Sequence, residues 1–351
     1  MRIALVSDAW APQINGVVRT LATTVDGLRA RGFDVTTITP DMFVTMPCPG
    51  YREIRLAVLP GRRMRAMLNA VRPDIVHIAT EGPLGWAARR WCKQRQVPFT
   101  TAFHTRFPDH LAVRTGLSAD LFWPLMRWFH AGSRAVLAST PRLAEELRGR
   151  GIANVRIWSR GVDLGTFGRR HTVPRVMANL PRPIMLYVGR VSTEKNLPAF
   201  LGLPVVGSKV VVGDGPAFGA LKDKYWDVSF LGTLQGRELA AAYAAADVFV
   251  FPSRADTFGL VMIEALACGL PVAAFPVQGP LDIVGADGKG AVFRSERRIG
   301  ALSDDLATAI DAALACDKED CAAFARRYDW NDCITQFAST LVDAAGAADM
   351  F

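Results

Sequence analysis

The feature that most constrains this chain is the alternation of short apolar runs with segments of helical length. Runs at residues 3–6, 35–38, 75–78, 99–102, 135–138 and 155–158 are nearly continuous in hydrophobic side chains. Strands buried on both faces read this way, and strands joined through helices are parallel. A second series, at residues 184–188, 209–212, 228–231, 248–251, 271–274 and 290–293, begins after a proline-rich break at residues 174–183. The 351 residues exceed one ordinary core. Two doubly wound α/β domains follow, with boundaries set at 1–172 and 173–330.

Charge is unevenly divided. Residues 1–180 carry 26 basic and 12 acidic side chains and residues 181–351 carry 15 and 21, so the halves stand at +14 and −6. The first half therefore expects an anionic partner, either nucleic acid or a phospholipid surface. No recognition helix, zinc module or aromatic RNA-binding pattern supports nucleic acid. The six cysteines form neither a metal pattern nor a disulfide framework and read as reduced thiols. The opening apolar run at residues 3–6 is too short for a signal segment, and no run reaches the roughly 18 apolar residues of a spanning helix. The expected location is cytoplasmic, peripherally on the inner membrane face.

In open α/β sheets ligands bind beyond the carboxyl ends of strands, so the loops that follow strands carry the chemistry. After the run at 248–251 come Arg254, Asp256, Thr257, Phe258 and Gly259, then a helix from Leu260 closed by Gly269 and Pro271. Free amides at that helix start favour anions and hydroxyl oxygens. Glu264 lies among Val261, Met262, Ile263, Ala265 and Leu266. A carboxylate there needs a partner, and a ribose diol or an internal salt bridge would each supply one. Arg190 and Lys195 follow the run at 184–188. Fixed cations so spaced stabilise a diphosphate leaving group as its charge grows, while a solvated surface pair is the plain alternative. Gly213 and Gly215 allow backbone to approach a base or phosphate, or simply form a tight turn. In the first half, residues 10–19 lack the G-x-G-x-x-G of a dinucleotide site, and His104 follows a strand with Arg106 and Asp109 as sequence neighbours. Asp304 and Asp305, after Ser303, read as a helix N-terminus and not as a metal site.

Taken together these residues resemble the retaining GT-B glycosyltransferases of family 4. The matches are Asn15-Gly16-Val17, Phe103-His104-Thr105, Arg160-Gly161-Val162-Asp163 with Phe167, Gly189-Arg190 with Glu194-Lys195-Asn196, Gly213 to Pro216, and an acid-x7-Glu motif from Asp256 to Glu264. Among subgroups the chain looks most like the bacterial lipid glycosyltransferases, including sulfoquinovosyl-diacylglycerol synthase and related mannosyl and glucosyl transferases. The resemblance implies two Rossmann-like domains facing a cleft, the first for the acceptor and the second for the donor, with residues 331–351 returning as a helix to the first.

It further implies that Arg190 and Lys195 hold the donor diphosphate and Glu264 the ribose. Asp256, with the amides at Thr257, Phe258, Gly259 and Leu260, takes the sugar hydroxyls. His104 lies near the sugar, Gly16 and Val17 near the phosphates, and backbone near Gly213, Gly215 and Leu231 near the base. The family's first acid is usually Glu, and Asp256 is one methylene shorter.

The activity so implied is retaining hexosyl transfer (glucose, glucuronate or mannose type) by front-side displacement, with no cofactor and no metal. The donor is a UDP-sugar, with GDP-mannose as the alternative. A soluble or polysaccharide acceptor, or epimerisation of the nucleotide sugar, is the rival on this fold. The acceptor reading also rests on the residues themselves. Arg52, Arg55, Arg62, Arg63, Arg65 and Arg72 lie among Leu56, Leu59, Met64, Met67 and Leu68, and residues 121–129 are rich in large apolar side chains. Cations beside exposed aromatics suit an anionic bilayer and hence a lipid acceptor such as diacylglycerol, a ceramide or a glycolipid. A plain core with a solvated face is the alternative.

Overall fold

The computed structural model describes residues 1–13, 15–48, 51–254, 256 and 258–346. Its strands are β1 (Arg2–Val6), β2 (Asp34–Ile38), β3 (Thr45–Cys48), β4 (Tyr51–Ala57), β5 (Ile75–Ile78), β6 (Phe99–Ala102), β7 (Val136–Ala138), β8 (Val155–Ile157), β9 (Ile184–Val188), β10 (Ser208–Val212), β11 (Ser229–Gly232), β12 (Val248–Phe251), β13 (Val272–Ala274) and β14 (Gly300–Leu302). The chain forms two compact units, Met1–Arg160 with the segment from Asn331, and Gly161–Trp330.

In the first unit six parallel strands run in the order β2-β1-β5-β6-β7-β8. The order reverses between β1 and β5, which places the switch point there. Ile3 to Val6 and Ile75, Val76 and Ile78 are fully buried because helices cover both faces of the sheet. On one face lie the helices Gly61–Val71, Pro83–Arg95 and Trp123–His130, whose Met64, Leu68, Leu84, Ala88, Trp91 and Phe129 share a core. The terminal helix Trp330–Ala345 packs against helix Gly16–Ala30. A Cβ on Gly27 would stand 2.2 Å from Ile334 Cδ1, so only glycine permits that approach. Arg156 pairs with Asp343 at 2.7 Å across the same junction.

The second unit carries the order β11-β10-β9-β12-β13-β14, again all parallel. Its switch point lies between β9 and β12. The sixth strand is β14 at Gly300–Leu302, not residues 290–293 as the apolar run suggested. Gly285, Gly288 and Gly290 all hold left-handed φ near 80°, which curls that segment into successive turns and leaves it no strand geometry. The antiparallel hairpin of β3 and β4 was also absent from the sequence reading. No helix among the described residues is long and apolar enough to cross a membrane.

Candidate active site

Two loops flank the switch point of the second unit, residues 189–196 after β9 and residues 252–259 after β12. The first of these is fixed by backbone contacts before any ligand is considered. The Gly189 amide donates to the Val212 carbonyl at 3.0 Å, Val191 to Asp214 at 2.9 Å, and Gly213 to Gly232 at 2.7 Å. A Cβ on Gly213 would stand 1.9 Å from the Gly189 carbonyl oxygen, and one on Gly215 would stand 2.4 Å from that of Val191. The two glycines therefore serve first to stack the β10 loop on the β9 loop, a role the sequence reading left between ligand approach and an ordinary turn. The Tyr187 hydroxyl donates to the Arg190 carbonyl at 2.8 Å and anchors that residue's backbone. Leu231 is half-buried against the core beneath.

The β9 and β12 loops are joined to each other. Asn196 Nδ2 donates to the Pro252 carbonyl at 3.2 Å, and Lys195 Nζ pairs with Asp256 Oδ1 at 2.5 Å. Both charged side chains are partly exposed, at 23% and 21%. The other carboxylate oxygen, Asp256 Oδ2, is buried and accepts no hydrogen bond among the described residues. Lys195 and Asp256 are thus brought together as one charge-assisted pair. Arg254 lies flat over the Phe275 ring at 3.8 Å on the same edge.

Gly259, at φ 87°, turns the chain into helix Leu260–Ala267; glycine brings no side chain to cap it, and no acid lies in its first turn. Its leading amides face the strand edge as an anion-favouring end. Phe258 is buried beneath, edge-on to Tyr328. Glu264, one turn further in, is buried and accepts from the Tyr243 hydroxyl at 3.3 Å. Thr257 lies outside the described residues. Asp305 caps helix Leu306–Leu314 through the amides of Ala307 and Thr308, the helix-start role its sequence suggested.

In the first unit, His104 follows β6 and is buried. Its sequence neighbour Arg106 pairs with Asp109 and forks onto Glu146 at 2.8 and 2.9 Å. The group that faces His104 is Arg160, whose Nη2 lies 3.2 Å from His104 Nδ1, with Trp158 against both side chains. A guanidinium only donates, so Nδ1 must accept and Nε2 carries the proton. Burial, and then the Arg160 charge, push the imidazole well below its ordinary range and keep it neutral. Gly16 opens helix Gly16–Ala30 and is exposed, with Val17 half-buried beside it and Asn15 capping through the Val18 amide.

Asp8 was missed by the sequence reading, although an acid directly after an apolar strand was the available signal. It sits at the first unit's switch point and accepts from Leu84 N at 2.9 Å, Gly85 N at 3.3 Å and the Thr80 hydroxyl at 3.0 Å. Burial raises its carboxyl to about 6 against the opposing pull of those donors.

Two doubly wound parallel-sheet α/β units, each with its own switch point, make up the GT-B fold. The chain belongs to glycosyltransferase family 4: residues 14–166 match the family described as Glycosyltransferase Family 4, and residues 182–315 that described as Glycosyl transferases group 1. It is 31% identical over 310 residues to a GDP-mannose-dependent alpha-mannosyltransferase of Mycobacterium tuberculosis, covering 81% of each chain. It is 26% identical to an alpha-monoglucosyldiacylglycerol synthase of Acholeplasma laidlawii over 84% of each. In fold it is similar to sucrose-phosphate synthase of Thermosynechococcus elongatus, with TM-score 0.75, 22% identity and 99% of both chains covered. The protein is accordingly a hexosyltransferase.

Proposed function

We propose that this enzyme transfers a hexose, with retention, from a nucleotide sugar to a membrane lipid. The observation that carries the donor half is the placement of Lys195, Asp256 and the helix start at Gly259 around one switch point. A diphosphate placed there meets Arg190 and Lys195, and its growing charge is met by groups already fixed in place. Asp256 with the amides of Phe258 and Gly259 takes the sugar hydroxyls, and Glu264 takes the ribose. The family resemblance assigns His104 to the transferred sugar and Gly16 to the phosphates. With two cations available to the leaving group, the reading needs no metal, and the donor phosphate itself receives the acceptor proton. The mannosyltransferase relative's name favours GDP-mannose over a UDP-sugar as donor.

The lipid half rests on the first unit's outer helical layer and on the diacylglycerol in the Acholeplasma relative's name. Arg62, Arg63 and Arg65 point outward while Met64 and Leu68 point in, and Leu59 is exposed beside them. In the same layer Trp86 and Trp128 are exposed with rings 5.3 Å apart, and Arg89 sits 4.1 Å over Trp128. The aromatic run at 121–129 divides by helical period, with Trp123, Met126 and Phe129 in the core and Leu121 and Trp128 outside. Each cation near an anionic surface contributes about 1 kcal/mol.

The test is a panel of GDP-mannose, UDP-glucose, UDP-glucuronate and UDP-galactose against diacylglycerol and ceramide in anionic vesicles, in excess EDTA, with product analysis. A glycolipid of retained anomeric configuration is expected. Activity only with a water-soluble acceptor, and no flotation with anionic vesicles at low salt, would overturn the lipid assignment.

A further inference from the structure

The pair between Lys195 and Asp256 occupies the cation that a diphosphate would need. The two loops are held together independently by Asn196 and Pro252, so separating the ion pair does not require the loops to part. When a diphosphate takes Lys195, Asp256 loses its counter-ion beside an incoming anion and is left with two carboxylate oxygens to satisfy. Hydroxyls of an attached sugar would supply the missing donors, whereas in a nucleoside diphosphate the only hydroxyls are those of the ribose, which the donor reading gives to Glu264.

Resting on the donor reading above, we propose that Lys195 and Asp256 form a counter-ion exchange that distinguishes the intact donor from its nucleoside diphosphate product. With donor bound, Lys195 turns to phosphate and Asp256 to sugar hydroxyls. Once the sugar has left, Asp256 has no hydroxyl donors, recaptures Lys195 and weakens the hold on the diphosphate. The device ties product release to completed transfer and makes Asp256 a specificity residue for the whole donor.

The exchange predicts opposite effects of one substitution on two ligands. Calorimetry with inorganic pyrophosphate, GDP and UDP, and in parallel with GDP-mannose and UDP-glucose, is carried out on the full chain and on Asp256→Asn. The variant is expected to bind pyrophosphate and the diphosphates about three- to fivefold more tightly, the scale of one released surface ion pair. It is expected to bind the preferred nucleotide sugar about tenfold more weakly, the scale of a hydrogen bond to a charged acceptor. Asp256→Ser repeats the measurement should the Asn variant not fold. Unchanged or weaker pyrophosphate binding in these variants, while Lys195→Ala still loses it, would overturn the exchange and leave the donor site standing. Pyrophosphate binding indifferent to Lys195→Ala would overturn the donor site and the exchange with it.

Discussion

In the first unit the strand order reverses between β1 and β5, and the helix that follows β5 has its leading amides taken by the buried carboxyl of Asp8. In the second unit the reversal lies between β9 and β12, and helix Leu260–Ala267 starts at Gly259, which brings no side chain of its own to cap it. Both crevices offer the positive end of a helix; in the first the chain's own Asp8 occupies it, and the second is the one to which we assign the donor. Formal charge points the other way. The first unit, residues 1–160 and 331–351, has 23 basic and 14 acidic side chains, and the second has 18 and 19, giving +9 and −1. On the proposed reading, where an anion is held is set by a few oriented groups and not by net charge, and the exposed Arg62, Arg63 and Arg65 of the first unit belong to the proposed lipid-facing layer.

The largest expected effect tests that contrast directly. Lys195→Ala removes one preorganised charge from the second crevice and should lower kcat by about 10²- to 10³-fold, the cost of one such group in a transition state. Its unfolding midpoint in urea should stay near wild type, because the ion pair it breaks is partly exposed. A rate within threefold of wild type would mean that the second crevice does not hold the leaving group.

Much of this was legible in the sequence where burial leaves a plain signature. Continuous apolar runs marked β1, β9 and β12, since strands covered on both faces have no polar side to alternate with. The hairpin of β3 and β4 was not legible, because Arg52, Glu53 and Arg55 break its apolar pattern. Residues 290–293 resembled a strand because composition does not show backbone φ, and three left-handed glycines decide that segment. Lys195 and Asp256 were each singled out, but their pairing spans 61 residues and exists only because the sheet order sets β9 beside β12. The partner of His104 was not legible for a related reason. Arg106 is two residues away but turns to Glu146, and the guanidinium that reaches the imidazole comes from Arg160.

Gly213→Ala sharpens the comparison from the scaffold side. The new Cβ would stand 1.9 Å from the Gly189 carbonyl at φ 135°, so both overpacking and backbone strain apply. We expect a loss of roughly 2–4 kcal/mol in urea unfolding. Gly232→Ala is the control, since its φ of 71° is left-handed but nothing lies within 4 Å of the added atom. It should cost only the strain, about 1–2 kcal/mol. Equal losses in the two variants would mean that the β9 and β10 loops do not depend on that close stacking.

A pH-dependent effect is expected at Asp8, and its sign follows from its environment. Burial raises the folded carboxyl from 3.8 to about 6, so the folded chain holds that proton more tightly than the unfolded one. The stabilisation attached to the proton is complete below about pH 4 and is lost as pH rises through 6. At about 1.36 kcal/mol per unit this amounts to about 2–3 kcal/mol. Asp8→Asn has no such proton, so its stability relative to wild type should improve by that amount between pH 4 and pH 7. Tryptophan fluorescence in urea reads this well, because six of the eight tryptophans lie in the first unit. A difference that stays constant with pH would mean that the folded carboxyl titrates as it does in the unfolded chain and that burial does not raise it.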